Sequence, residues 1–592
     1  MIMNNDHIDY PELTMFQMVE RMAKKYPNAY CMELFGRKTK YKDFLAKIEQ
    51  AARAFCAEGI RMGDRVTICM PNIPQAMVCF YALNRIGAIA NMIHLLSAQD
   101  EITFYLNFSK SKMIMTVDMF YEKVEAALKQ TDHPVTIVMT RVQEELPLPL
   151  AAAMNVKNAK KLGRFPNTDH AITWKAFLKK GTPQIRLTDM EYDLKRTAVI
   201  LYSGGTSGTP KGICLSDGNM NATALQAVAR LGKEVDFTET TMLSCMPCFH
   251  GFGLCINLHL MLIHGGCCIL MPSFDIKSYA KNLKKKKPNL IAGVPTIFEA
   301  LTHIKDLDDV KLDFLVGMFC GGDSLSIELK AKVDKFLKDH GATIQVREGY
   351  GLTECVTASC LTPHDTYKPG SIGLAFPDTT YAIVKPGTDE VLPYGEEGEI
   401  ILTGPSVMLG YLDNPEETAK TLRTLADGRV WLYTGDLGYM DEEQYVYFRQ
   451  RIKRMIITNG YNVYPGYVEN LIDANPEVAY SCVIGVKDKR RMQRVRAYIV
   501  LAEGVKPTDE LKEELKSRLK MQLAAYAIPR EIIFRESLPR TLVGKVAFRL
   551  LEEEANAEAE AAEKLAAEQE KAEAQKKQAE EQAKKAPKGK KN

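Results

Sequence analysis

The chain has 592 residues and a mass of 66.4 kDa, with 26% charged and 46% hydrophobic residues. At ~100–200 residues per domain it is too long for one core, and it has ample apolar material to bury, which excludes chain-wide disorder. Lys plus Arg is 77 and Asp plus Glu 74, a net charge of +3, so it lacks the basic field of a nucleic-acid binder.

The first residues, Met1 to Tyr10, are polar and acidic, wrong for a signal peptide. Asp43–Glu58 has helical spacing, Arg65–Met70 reads as a short apolar strand and Pro74–Arg85 as a helix. Met113–Thr116 and Val135–Met139 read as buried parallel strands. Strands alternating with helices predict an α/β architecture. Around Glu144–Lys180 the periodicity breaks down at Pro147, Pro149, Gly163 and Pro166, which reads as an inserted, partly exposed segment. The longest apolar run, Leu258–Met271, is interrupted by His259, His264 and two glycines, so no stretch of ~18 apolar residues spans a bilayer. The α/β pattern resumes at Thr197–Leu201 and runs to about Ala375, and Tyr381–Arg449 reads as more β-rich. After the basic link Arg449–Arg454, strands Val483–Val486 and Arg496–Leu501 and helix Glu510–Leu523 suggest a small α+β domain. From Glu553 the composition turns to Ala, Glu, Lys and Gln. Glu560/Lys564 and Glu573/Lys577 are spaced i,i+4, and Leu565 is the one large apolar residue. This predicts a solvated helix without a coiled-coil seam, an appendage rather than part of a core. Fourteen cysteines with no export signal read as reduced cytosolic thiols.

The sharpest motif is Tyr202-Ser203-Gly204-Gly205-Thr206-Ser207-Gly208-Thr209-Pro210-Lys211-Gly212, directly after the apolar strand Ala198–Leu201. Four glycines, four hydroxyl side chains and a lysine are poor core material. They suit a loop whose N–H groups and hydroxyls wrap phosphate oxygens. Pro210 before Lys211 excludes the Walker A pattern. In Glu348-Gly349-Tyr350-Gly351-Leu352-Thr353-Glu354, Tyr350 offers a flat face for a base, Thr353 a hydroxyl for a phosphate, and Glu354 a hard oxygen ligand for Mg²⁺. Asp436, in Tyr433-Thr434-Gly435-Asp436-Leu437-Gly438, can accept from ribose hydroxyls. Lys545 sits in Leu538-Pro539-Arg540-Thr541-Leu542-Val543-Gly544-Lys545. The Cys245-x-x-Cys248 pair has no second pair nearby, which is weak for zinc.

In this order the four motifs resemble those of the adenylate-forming superfamily, which includes the acyl-CoA synthetases. The resemblance covers about residues 10–550. Further matches are Met246-Pro247-Cys248-Phe249-His250-Gly251, Cys320-Gly321-Gly322-Asp323-Ser324-Leu325, Gly398-Glu399-Ile400, and Asn459-Gly460-Tyr461-Asn462-Val463-Tyr464-Pro465 with Glu469 after it. The resemblance implies a large multi-subdomain α/β domain over 1–450, a small mobile α+β lid over 451–552, and the tail 553–592. It implies adenylation of a carboxylic acid by ATP and transfer of the acyl group to coenzyme A, with a medium- or long-chain fatty acid favoured by Asn462–Pro465 and by the insert Leu146-Pro147-Leu148-Pro149-Leu150.

By the same similarity, Lys545, Thr353, Glu354 and His250 are the catalytic candidates, with Glu354 holding Mg²⁺. Ser203, Gly204, Gly205, Thr206, Ser207, Gly208, Thr209 and Lys211 would hold the phosphates. Gly322, Asp323, Tyr350, Gly351, Asp436 and Arg451 would bind the nucleoside, and Lys453 would be the hinge. The competing functions are an acyl-AMP ligase serving a carrier-protein thiol and a non-catalytic nucleotide-binding scaffold. Lys284–Lys287 could meet anionic lipid at a membrane surface. The sequence departs from the family at Asp323, usually a small residue, and at Asp217-Gly218-Asn219 in place of His-x-Asn. It departs again at Gln450, and at Leu542-Val543-Gly544 in place of Pro-Ser-Gly.

Overall fold

The computed structural model describes residues 7–157, 170–203, 210–232, 234–458, 461–463, 465–488, 492–541 and 546–561. Two compact units divide the chain at Phe448/Arg449. The phosphate-loop residues Gly204 to Thr209, the catalytic candidate Lys545 and residues 562–592 lie outside the described residues, as does the side chain of Lys453.

The first unit carries three sheets. In one, strands Arg65–Cys69, Ile89–Met92, Met113–Val117 and Thr136–Thr140 run parallel, as expected for Met113–Thr116 and Val135–Met139. Strand Thr197–Ser203 joins this sheet beside Ile89–Met92 and forms an antiparallel pair with Lys211–Ser216. A second sheet aligns Thr241–Ser244, Leu290–Gly293, Gly317–Cys320 and Val346–Tyr350 in parallel. A third, β-rich sheet contains Thr380–Val384, Gly398–Thr403 and Val430–Met440. Part of the expected insert is ordered. Leu148–Lys157 is helical, and Ala171–Thr173 becomes the edge strand beside Thr136–Thr140. A prolyl helix start and a three-residue strand are too short to leave a clear period in the sequence.

Helix Asp217–Ala229 opens with a capping box between Ser216 and Asn219. Asp217, one of the departures noted above, is wholly buried and serves the fold. Its carboxylate accepts from Met15 N at 2.8 Å, Asn84 Nδ2 at 2.7 Å and Arg196 at 2.7 Å. Lys284 to Lys286 close helix Ile276–Lys286, where the helix dipole favours cations, and Lys286 pairs with Glu33. Among the described residues, no helix is long and apolar enough to cross a membrane. All fourteen cysteines are free thiols.

Glu348 is buried midway along strand Val346–Tyr350, where its Oε1 accepts from Leu325 N at 3.0 Å. Burial, more than any partner, pushes its carboxyl from the ordinary 4.5 up to about 8, and Asp323 adds to the rise.

The second unit holds an antiparallel pair, Val478–Asp488 with Met492–Leu501, flanked by Glu531–Phe534 and by Ile456–Thr458. Helix Asp509–Gln522 buries Leu511, Leu515 and Leu519 against this sheet. Glu469, a motif residue, is structural here: it pairs with Arg454 and accepts from Val483 N at 2.7 Å.

The tail does not begin as an appendage at residue 553. Helical residues 548–561 run through that point. Leu551 and Ala555 are buried beside Cys482, Ile484 and Tyr498. Glu554 pairs with Arg535 at 2.6 Å, Glu558 with Arg496 at 2.8 Å, and Asn556 Oδ1 accepts from Lys487 N at 2.8 Å. Alanines in an alanine-rich stretch pack closely without the large apolar residues that would mark a seam.

Removing residues 562–592 should therefore leave chemical unfolding unchanged, whereas removing 553–592 should destabilise the protein by about 2–3 kcal/mol through lost packing and ion pairs. Equal unfolding curves for the two truncations would contradict the packing role. Folded Glu348 keeps its proton between 4.5 and about 8, where the unfolded chain has released it. Its contribution is thus fully present below 4.5 and is lost as pH rises through about 8. Glu348→Gln should remove this dependence and leave the variant more stable than wild type at alkaline pH, by on the order of a few kcal/mol. Parallel stability–pH curves for the two proteins would refute it.

Candidate active site

Three motif segments meet because glycines let their backbones touch. A Cβ on Gly251 would stand 1.8 Å from Val356 O, one on Gly351 2.1 Å from Thr357 O, and one on Gly321 3.1 Å from Gly349 O. The His250 segment, the Gly321–Gly322 turn and the Tyr350–Glu354 segment are thereby fixed side by side. Asn72, buried, sets the entry to the first: it donates to Ser244 O and Met246 O and accepts from Cys248 N at 2.8 Å. His250 Nδ1 accepts from Phe252 N at 3.2 Å, and a fully buried π-helical stretch, Phe252–His259, follows. Wide turns of this kind are frequent at functional sites. His259 anchors its far end. Nε2 lies 2.9 Å from Asn221 Oδ1, an acceptor, so Nδ1 accepts from Tyr81 Oη at 2.9 Å. Burial drops this imidazole to about 3, keeping it neutral.

Two of the nucleoside candidates are joined directly. Tyr350 Oη donates to Asp436 Oδ2 at 2.6 Å, and the Tyr350 ring lies 6.0 Å from that of Phe448. Asp436 is 1% exposed. The Gly398–Ile400 motif holds its turn: Glu399 accepts from Gly435 N at 3.0 Å and Ile400 O from Thr434 Oγ1 at 2.6 Å, while Thr434 Oγ1 accepts from Asp436 N. Gly435, at φ +70°, occupies the left-handed region that glycine tolerates. Gly322 also has positive φ, whereas Asp323 points outward and accepts from Ser324 N at 3.0 Å.

The phosphate candidates involve two residues that sequence reading did not find. Ser203 and Lys211 are cross-strand partners. Lys211 Nζ pairs with Glu417 and lies 4.6 Å from the centre of the Tyr411 ring. Tyr411 Oη donates to Glu354 Oε1 at 3.0 Å. Strand Gly410–Tyr411 reaches this place by pairing antiparallel to Lys211–Ser216. Asn219, retained from the family pattern, donates to Pro405 O and Val407 O, and Met408 N donates to Glu354 O. Thr353 is buried beside Glu354 in a single 3₁₀ turn. Glu354 keeps a second carboxylate oxygen beyond the Tyr411 bond, so its hard-oxygen chemistry fits Mg²⁺.

Cys245 and Cys248 point apart, to Ala292 O and Met70 O, and burial raises both thiols to about 12. Among the described residues no cluster could hold a metal with them. In the second unit, Arg451 ends strand Val446–Arg451 and Lys453 lies in the 3₁₀ turn Ile452–Arg454.

Beside Gly321, Gly322 and Gly349 opens an apolar cavity of about 60 Å³, walled by Ala227, Leu231, Met242, Phe252, Leu290 and Phe319 among others.

Comparison with known proteins identifies the family. The AMP-binding enzyme model matches residues 19–412, and the AMP-binding enzyme C-terminal domain model matches 467–545. The chain is 34% identical to a long-chain-fatty-acid–CoA ligase of Bacillus subtilis, covering 92% of this chain and 95% of that protein. It is 30% identical to the enzyme of that name from Salmonella typhimurium, with the same coverage. Among solved structures, ATP-bound MatB from Rhodopseudomonas palustris matches with a TM-score of 0.77 at 25% identity, over 92% of this chain and 99% of that one. An anthranilate CoA ligase with bound anthranoyl-AMP shares the fold, with a TM-score of 0.79 at 22% identity over 93% and 98%. A match over most of the first unit, a second over the other and full-length relatives make this chain a member of the AMP-binding enzyme family.

Proposed function

We propose that this chain is an ATP-dependent acyl-CoA synthetase acting on a medium- or long-chain fatty acid. A carboxylate oxygen attacks the α-phosphorus of ATP, and the bond to pyrophosphate breaks. The coenzyme A thiol then loses its proton, its sulfur attacks the acyl carbon, and the carbon–oxygen bond to AMP breaks. The observation that carries the reading is an apolar cavity opening at the Gly321–Gly322 turn, beside the segment of Tyr350 and Glu354. A nucleotide site that abuts an apolar sleeve suits an acid with a hydrocarbon tail, and the relatives named for long-chain acids support the same class.

A carboxylate is already ionised near pH 7, so the first step needs positive charge more than a base. In this reading Lys545 supplies that charge between the acyl carboxylate and the α-phosphate. Ser203, Lys211 and Gly204–Thr209 receive the leaving phosphates, which requires Lys211 to exchange Glu417 for phosphate. Tyr350 stacks on adenine, Asp436 and Arg451 take the ribose, and His250 faces the acyl carboxyl. Thr353 offers its hydroxyl to a phosphate, and Glu354 would hold Mg²⁺, which when bound neutralises charge on the phosphate oxygens. Lys453 serves as the hinge, and the cytoplasm is the compartment.

The test is pyrophosphate release with Mg-ATP over acids from acetate to palmitate plus benzoate, with and without coenzyme A. Multiple turnover that requires coenzyme A and peaks on a medium or long chain is expected. A stall after one turnover with coenzyme A present would point to a carrier-protein thiol instead. Lys545→Ala should lower adenylation by about 10²–10³ while nucleotide still binds; an unchanged rate would remove Lys545 from its role.

A further inference from the structure

A second chamber of about 250 Å³ lies beside the apolar cavity, and Leu231, Leu290 and Phe319 wall both. Phe319 is the partition. Its ring folds over Gly317, where a Cβ would stand 2.7 Å from Phe319 Cζ. The register pairs Phe319 directly with Arg347 on the neighbouring strand, and the guanidinium lies 5.9 Å from the ring centre.

The chamber differs in chemistry from the cavity before it. Lys330, Thr343, Gln345, Arg347, Thr362 and Asp365 contribute to its walls. It reaches the surface at His364 and Asp365, whose side chains are 47% and 67% exposed. Lys330 is already committed to Asp334 at 2.6 Å. Arg347 is not committed to a carboxylate in this way. It is 8% exposed and donates to three neutral carbonyls, Thr362 O at 2.7 Å, Leu231 O at 3.0 Å and Arg230 O at 2.7 Å. A guanidinium has five N–H donors, so these bonds leave donors over on a buried cation at the chamber wall. A purely hydrocarbon chain end has no use for such a group.

We propose that this chamber receives the distal end of a long acid that threads past Phe319 and Leu231, and that Arg347 recognises a hydrogen-bond-accepting oxygen there, the carboxylate of an α,ω-dicarboxylic acid or the hydroxyl of an ω-hydroxy acid. The inference rests on the acyl-CoA synthetase reading and extends it to a substrate class.

The experiment measures kcat/KM of the full chain for octanoate, hexadecanoate, hexadecanedioate and ω-hydroxyhexadecanoate. Octanoate is the short-chain reference. The wild-type protein should use the oxygenated long acids at least as well as hexadecanoate, to within a few-fold. Arg347→Met should lower the oxygenated acids relative to hexadecanoate by about tenfold or more, with octanoate unchanged. Arg347→Lys, which keeps the charge and loses the fork, should restore part of the preference for the carboxylate arm and less for the hydroxyl arm. Rejection of both oxygenated acids by about a hundredfold in wild type, or an Arg347→Met variant with an unchanged ratio, overturns the inference while leaving acid activation intact. Failure with every acid, octanoate included, overturns the acyl-CoA reading and this inference together.

Discussion

Backbone-to-backbone contact that only glycine permits is the constraint on which the site depends. With Gly251 against Val356 O, Gly351 against Thr357 O and Gly321 against Gly349 O, three segments that follow the C-terminal ends of parallel strands of the second sheet share one small volume. A methyl group at Gly251 or Gly351 would meet a carbonyl oxygen rather than a side chain that could swing aside. Backbone would have to move, and His250, Tyr350 and Glu354 would move with it. The glycines in these motifs therefore act as spacers, and the chemical residues beside them inherit their positions.

Around that contact the charges are arranged in relays rather than isolated pairs. Glu417, Lys211, Tyr411 and Glu354 form one chain that links the strand after the phosphate-loop residues to the metal candidate. Tyr350 and Asp436 form another, held from behind by Glu399 and Thr434. Each gives a carboxylate a defined donor, so a bound nucleotide would meet oriented groups rather than mobile ones. Glu348 shows the opposite case: with one backbone donor and burial all round, it keeps its proton across neutral pH.

Much of this was legible in the sequence, for a physical reason. The apolar strand Ala198–Leu201 runs directly into a Gly-, Ser- and Thr-rich segment, and such a change of composition has few uses besides a binding loop. Parallel strands such as Met113–Val117 also declared themselves by their largely apolar runs. Tyr411 and Glu417 were not legible, because they reach Lys211 only through strand pairing across about two hundred positions. Asp217 looked like a departure in a functional motif and proved to be a buried anchor for Arg196 and the Met15 helix, a role that depends on partners far along the chain. The start of the tail misled for another reason. Alanine carries little hydrophobic signal, yet Ala555 packs wholly inside.

The central claim is that the acid is activated as a mixed anhydride with AMP, and the fate of one oxygen atom tests it most directly. When a carboxylate oxygen attacks the α-phosphorus and the thiol later breaks the carbon–oxygen bond, that oxygen must leave on AMP. Turnover of palmitate labelled with heavy oxygen in its carboxylate should therefore yield AMP carrying one label for each thioester formed. Unlabelled AMP, or label recovered in inorganic phosphate with ADP as the other product, would contradict the account.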